Sequence, residues 1–173
     1  MDYTKVKIGI LGGSFDPAHK GHLAISKEAK KRFDLKKIIW AITKKNPFKI
    51  ESENAVSKRI KYRKKIIGLN SFIKVKFYEN IIKSNRTIDL INHIKKDKKI
   101  EIYFLMGADN LIDFHKWHKS KLISQKCNII VFDRQGYKKN SFKSKTFKRL
   151  NKRTLTFVEF NKVNISSSQL RKI

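Results

Sequence analysis

Acidic residues are scarce in this chain: 14 Asp and Glu stand against 42 Lys and Arg among 173 residues, a formal net charge of +28. Cysteine is almost absent, and the lone Cys127 excludes an internal disulfide framework and fits a reducing compartment. With two prolines and seven glycines there is no linker rich in either that would divide the chain. No apolar run approaches the ~18 residues that a bilayer-spanning helix needs. The opening Met1-Asp2-Tyr3-Thr4-Lys5 has none of the apolar core of a secretory leader. These absences predict a soluble, cytoplasmic protein with no membrane partner, folded as one domain over residues 1–173 and large enough to bury a core without staples.

The positive excess admits two readings. Clustered Lys and Arg release counterions from nucleic-acid phosphates. An AT-rich genome also loads unconstrained positions with Lys, Ile and Asn. Here the lysines run along the whole chain, apolar positions use Ile heavily and Asn is frequent. That spread favours the compositional reading, with no specific nucleic acid as partner, while a positive surface still attracts anionic substrates. The densest basic tract, residues 137–153, holds few apolar residues and predicts a solvated loop or short surface helix.

Strand signals lie at residues 5–11, 37–43, 72–77, 100–106, 128–132 and 154–158, several of them short apolar runs of the kind covered on both faces. Helical patterns alternate with them. From His22 onward, Ile25, Ala29 and Phe33 recur every four residues; Val56, Ile60 and Ile67 form a second stripe ending near Gly68. Thr87 is placed to N-cap a third helix carrying Leu90, Ile91 and Ile94, and residues 109–124 are helical but broken. This alternation predicts a Rossmann-like three-layer α/β/α fold with a mostly parallel sheet.

Ligands of such sheets bind beyond the carboxyl ends of the strands. After the first strand stands Gly12-Gly13-Ser14-Phe15-Asp16-Pro17, then His19-Lys20-Gly21-His22. Glycines let backbone N–H groups approach an anion, and a helix start adds unpaired donors and a favourable dipole. The histidines add donors that can be charged near neutral pH. After the second strand comes Lys44-Lys45-Asn46-Pro47-Phe48-Lys49, after the fourth Gly107-Ala108-Asp109-Asn110, and near the end Ile165-Ser166-Ser167-Ser168-Gln169-Leu170-Arg171. These segments concentrate basic, hydroxyl and glycine residues and could line one anion pocket. Local pattern alone leaves plainer roles open: Ser166 and Ser167 as helix caps, Asp109 and Thr87 likewise, Trp117 as core beside Phe114, His118 as surface. The pairs His19/His22 and His115/His118 could bind zinc, but no cysteine or carboxylate completes a ligand pattern, so no protein-bound metal is expected.

The first loop is neither a Walker loop nor Gly-x-Gly-x-x-Gly. It resembles the His-x-Gly-His motif of the nucleotidylyltransferase superfamily, and residues 165–171 resemble that superfamily's C-terminal Ile-Ser-Ser-Thr-x-Ile-Arg element, with Ser168 and Leu170 as substitutions. Met106-Gly107-Ala108-Asp109-Asn110-Leu111, Phe114-His115-Lys116-Trp117-His118, Val131-Phe132-Asp133-Arg134-Gln135-Gly136-Tyr137 and Asn46-Pro47-Phe48-Lys49 are similar to the nicotinate-nucleotide adenylyltransferase branch. The resemblance runs over essentially the whole chain and implies a nucleotidylyltransferase fold. It also implies transfer of AMP from ATP to nicotinate mononucleotide in NAD biosynthesis, with Mg²⁺ carried on the ATP phosphates. Nicotinamide mononucleotide or phosphopantetheine are the alternative acceptors, and a basic nucleic-acid-binding module is the alternative outside enzymes.

Carried over position by position, the resemblance assigns His19, His22 and Arg171 to catalysis, with His22 as a protonated donor. It assigns Gly12, Gly13, Ser14, Phe15, Gly107, Asp109, Ile165, Ser166 and Ser167, besides those three, to ATP. Asn46, Lys49, Thr87, Asp109, Trp117 and His118 are assigned to the mononucleotide, with Trp117 on the pyridine ring. Arg86 stands where the family usually has tyrosine.

Overall fold

The computed structural model describes residues 4–13, 15–44, 56–133, 138–150 and 153–159. Its strands are β1 (Val6–Gly13), β2 (Lys37–Ile42), β3 (Ile73–Lys76), β4 (Ile100–Gly107), β5 (Asn128–Phe132) and β6 (Leu155–Val158). The helices are α1 (Lys20–Phe33), α2 (Val56–Ile67), α3 (Glu79–Ile82), α4 (Thr87–Ile94), α5 (Ala108–Asp113), α6 (Ser120–Lys126), α7 (Lys138–Lys143) and α8 (Lys145–Arg149), with a 3-10 turn at Phe114–Lys116. Each expected strand is present. The first runs further than its apolar alternation, through Gly12 and Gly13, because both continue the ladder opposite Ala41 and Ile42 of β2.

The strands form one sheet in the order β3-β2-β1-β4-β5-β6, and every neighbouring pair is parallel. Such a sheet must be covered on both faces, since each strand alternates its side chains between two apolar layers. Ile8 and Ile10 of β1 join Ile102 and Phe104 of β4 on the side of α4, α5 and α6. Leu11, Trp40, Leu105 and Ile130 point to the other side, where Ile25 and Ala29 of α1 and Ile67 of α2 meet them. Packing there is tight at Gly9: a Cβ would stand 3.0 Å from both Ile38 Cγ1 and Leu35 Cδ1, so the strand and the turn before β2 close over that glycine. No helix among the described residues is long and apolar enough to cross a membrane.

One local expectation is corrected, and another gains detail. Thr87 opens the first turn of α4 but does not cap it; the cap residue is Arg86, without a side-chain bond. Ser84 supplies the hydroxyl instead, accepting from Arg86 N–H at 3.1 Å and donating to Asp89 Oδ2 at 2.6 Å. The basic tract, read as a solvated loop or surface helix, folds within its described part into α7 and α8, which pack against α5. Its few apolar residues converge: Phe142 lies 4.8 Å from Phe147 and 4.9 Å from Phe157, ring to ring. Ser141 and Thr146 are buried beneath them.

Cys127 is buried at the end of α6, its thiol donating to Ile123 O at 3.1 Å. Burial pushes this thiol up from its ordinary 9.0 to about 12, against a smaller opposing pull from Lys95. A group whose folded value is raised lends its stability below the unfolded value and loses it as pH climbs to the folded one. For Cys127 that window is pH 9.0 to about 12. Only a thiolate is nucleophilic. Native protein at pH 8 should therefore take up iodoacetamide at least about a hundredfold more slowly than the urea-denatured chain. Comparable rates in the two states would contradict the burial.

Candidate active site

The strand order reverses between β1 and β4, where neighbouring crossovers leave to opposite faces and open a crevice at the carboxyl edge of the sheet. Gly12 and Gly13 end β1 there, and Gly107 ends β4. Packing does not require glycine at positions 12 and 13. An added Cβ would stand 3.7 Å from Phe104 at position 12 and 3.5 Å from the Phe15 ring at position 13, both ordinary contacts. What the missing side chains keep clear is the crest of the strand facing the crevice. The chain then turns through Phe15, a non-glycine residue at φ 49°, whose buried ring stacks on Trp40 at 5.0 Å.

Helix α1 begins with a reciprocal cap made by two histidines. His19 is the N-cap residue and its Nδ1 accepts from Gly21 N–H at 3.0 Å. His22, three residues on, accepts at its Nδ1 from His19 N–H at 3.1 Å. This is the hydrogen-bond pattern usually built from a serine or threonine and a glutamate. It assigns the tautomers, because a ring nitrogen that accepts from an amide carries no proton, so each neutral ring donates through Nε2. A protonated His22 would have to give up this contact, since an imidazolium sets its Nδ1–H against the His19 amide hydrogen.

The rings are also packed in place. Their centroids lie 3.8 Å apart, and His22 sits 4.6 Å from Phe15 and 5.8 Å from Trp40. From below, Trp40 Nε1 donates to Ser26 Oγ at 2.9 Å, and Ser26 donates to the His22 carbonyl at 2.8 Å. His19 is buried, His22 half-buried. The helix thus offers two preorganised donors beside its own first-turn amides, an arrangement suited to phosphate.

Across the crevice, Gly107 is the N-cap residue of α5 and Asp109 lies in that helix's first turn, half-buried. Trp117 packs edge-on against Phe104 (6.0 Å, 89°) and Phe114 (5.1 Å, 62°). Because Phe104 also backs Gly12, Trp117 belongs to the same neighbourhood as the first glycine. Thr87 opens α4, whose far end, with His93 and Ile94, lines a groove with Ile8, Lys37, Lys76, Tyr78 and Ile100. His118 is exposed. His115 is committed elsewhere, its Nδ1 2.9 Å from Thr146 Oγ1 and 3.1 Å from Ile112 O. Among the described residues no group of three or more His, Cys, Asp or Glu could hold a metal ion. Ser14, Asn46, Lys49, Ile165, Ser166, Ser167 and Arg171 lie outside the described residues.

Sequence reading missed a buried arginine. Arg59 of α2 is 2% exposed, and its guanidinium donates to Thr43 O at 2.7 Å and to Lys44 O at 3.2 Å, immediately beyond β2. Burial pushes it below its ordinary value, and the charges of Asp16 and Glu79 oppose that shift. Glu79 is pushed up by burial, against the pull of the Lys44 N–H, Arg59 and Lys44. One signal was available: Arg59 falls three residues after Val56, on the buried side of the stripe that defined α2.

Residues 10–173 match the family model described as cytidylyltransferase-like. A relative from Pelagibacter ubique (strain HTCC1062), named "Probable nicotinate-nucleotide adenylyltransferase", is 67% identical over 173 residues, which cover 100% of this chain and 96% of the relative. The chain belongs to the nicotinate-nucleotide adenylyltransferases. A relative of the same name from a Nitratiruptor species is 37% identical over 139 residues, covering 77% of this chain and 76% of the relative. Among solved structures, the nicotinic acid mononucleotide adenylyltransferase of Plasmodium falciparum complexed with NaAD superposes with a TM-score of 0.77 at 22% identity, over 96% of this chain and 83% of that one. Its complex with APC gives 0.78 at 23% identity, with the same coverage. At that identity these two structures speak for the fold.

The reciprocal cap separates two jobs of one side chain. Asparagine is a good N-cap acceptor but has nothing at the Nε2 position. His19→Asn should keep its melting temperature within ~3 °C while turnover falls by roughly 10²-fold, the cost of one preorganised donor. His19→Ala should lose the donor and also about 1 kcal/mol of helix capping. An asparagine variant with near-normal turnover would remove Nε2 from the chemistry.

Proposed function

We infer that this chain transfers the adenylyl group of ATP to nicotinate mononucleotide, giving nicotinate adenine dinucleotide and pyrophosphate, a step of NAD biosynthesis. The observation that carries the reading is the reciprocal histidine cap at the start of α1, whose two Nδ1 atoms take backbone amides at the reversal of strand order. Membership in the family, and the NaAD named in a solved relative of the same fold, supply the reactants.

A 5′-phosphate oxygen of the mononucleotide attacks the α-phosphorus of ATP. One P–O bond forms, the α–β bridge breaks, and the electron pair leaves with pyrophosphate. The attacking phosphate is already ionised near pH 7, so no general base is needed, and no residue forms a covalent intermediate. Catalysis consists of alignment and of stabilising charge on the transferred and departing phosphates. His19 and His22 donate to the ATP phosphates beside the N–H groups of α1, while Gly12, Gly13, Ser14 and Phe15 form the surface against which ATP lies. As neutral donors the histidines orient and polarise without adding net charge. Neutralisation then falls to Arg171 and to Mg²⁺, which would be held through the substrate phosphates. Ile165, Ser166 and Ser167 hold the triphosphate with Arg171. Gly107 and Asp109 meet the ribose. On the acceptor side, Trp117 is fixed edge-on by its two phenylalanine neighbours yet only half-buried, which leaves ring surface for the pyridine. Asn46, Lys49, Thr87 and His118 complete the mononucleotide's surroundings.

Pyrophosphate release on supplying ATP and Mg²⁺ with each acceptor in turn tests this reading. Release should be fastest with nicotinate mononucleotide. Release only with nicotinamide mononucleotide or phosphopantetheine would replace the acceptor. Release with none, together with salt-sensitive RNA or DNA binding, would replace the enzyme by a nucleic-acid-binding module. His22→Ala should slow turnover by about 10²–10³-fold. Arg171→Ala should chiefly raise the KM for ATP, and unchanged ATP kinetics would take it out of the site.

A further inference from the structure

We propose that the buried Arg59 is a positioning residue of adenylyl transfer, holding the turn after β1 in place through Thr43 on one side and Asp16 on the other. The proposal rests on the adenylyl-transfer reading and adds to it a residue that touches no substrate.

Burying a guanidinium is costly unless it is paired and hydrogen-bonded, and an apolar residue of similar size would often serve stability as well. Arg59 is 2% exposed on a helix face that elsewhere packs Ile67 into the core. Packing therefore does not account for the choice of arginine, but its partners do. The planar fork spans two successive carbonyls, those of Thr43 and Lys44, at 2.7 and 3.2 Å. The amide of Thr43 donates in turn to Gly13 O at 2.9 Å, extending the β1–β2 pairing by one rung to the last glycine of the crest. The amide of Lys44 donates to the Glu79 carboxylate at 3.2 and 3.3 Å. Both carbonyls and both amides of this non-strand dipeptide are thus committed. A single buried cation organises them.

The second side of the clamp is electrostatic. Asp16, 0% exposed, lies within the field of Arg59, as does Glu79. Asp16 follows Phe15, the residue turned into the left-handed region, whose ring lies 4.6 Å from that of His22. Arg59 accordingly acts on the turn by two routes: on Gly13 through the hydrogen-bonded Thr43, and on Asp16 through charge. Any shift of the turn passes by way of Phe15 to the His22 ring and its donor. Misplacement of reacting groups by about 1 Å can cost 10²-fold in rate.

Arg59→Lys keeps a cation for Asp16 and Glu79, but an ammonium on one flexible stem does not grip two carbonyls as a fork does. Arg59→Met keeps bulk and loses both functions. With nicotinate mononucleotide, ATP and Mg²⁺, kcat should fall about tenfold in Arg59→Lys and about 10²-fold in Arg59→Met. Arg59 itself touches no acceptor, so the KM for nicotinate mononucleotide should change less than kcat does. Both are measured on protein with wild-type circular dichroism and a melting temperature well above the assay. A merely structural role would lower the melting temperature and leave the kcat of the folded enzyme at the wild-type level in both variants; that result overturns the proposal. Should Arg59→Met fail to fold, Arg59→Lys decides: a reduced kcat supports the clamp and a wild-type kcat overturns it. Failure of the underlying reading looks different, because then wild-type protein itself releases no pyrophosphate with any acceptor.

Discussion

The parallel pairing of β1 with β4 is the contact on which the rest of the molecule depends. It joins strands far apart in sequence, Val6 opposite Ile100 through Leu11 opposite Leu105, and the order of the sheet reverses across it. β2 and β3 lie on one side, β5 and β6 on the other. A right-handed crossover leaving β1 must pack on one face of the sheet and a crossover leaving β4 on the other. The crevice between them follows from chain handedness and needs no further device. Onto its rim the fold delivers the double glycine of β1, the histidine cap of α1, the Gly107–Asp109 corner and, through Phe104, the indole of Trp117.

Much of this was legible in the chain itself, for physical reasons. Short apolar runs such as 128–132 and 100–106 read as strands because a doubly covered sheet leaves them no polar face. Ile25 and Ala29 read as the buried stripe of α1 because both faces of the local signal, apolar spacing and glycine-rich entry, agreed. The site motifs were legible because they hold unusual residues in fixed spacing. What failed was local and polar. Thr87 seemed a natural cap until Ser84, three residues earlier, proved to bond the helix start. The charge state of His22 could not be read from spacing, since it hangs on which ring nitrogen meets the His19 amide. Arg59 went unseen because an arginine among lysines on α2 looks like one more solvated charge; only its burial and the carbonyls beyond β2 distinguish it.

The basic composition also takes on a sharper meaning. Most of the described lysines are exposed and lie in helices, strands and connecting turns from one end of the chain to the other, as a compositional origin would have it. Charges placed this way raise the local concentration of anionic substrates without aligning them. In the proposed mechanism, alignment rests on the few cations and imidazoles whose geometry is fixed, Arg59 and the two histidines of the cap among them. A field that gathers and a handful of groups that hold are separate contributions, and they respond differently to salt.

The reciprocal histidine cap has a consequence for how this chain can change over time. Serine, aspartate and asparagine cap helices well, and any of them at position 19 would satisfy the same amide. Evolution toward greater robustness therefore has an easy path at this helix start. That path discards the ring's second nitrogen, Nε2. On the adenylyl-transfer reading, a lineage selected only for endurance would trade His19 away and keep a well-folded protein short of one phosphate donor.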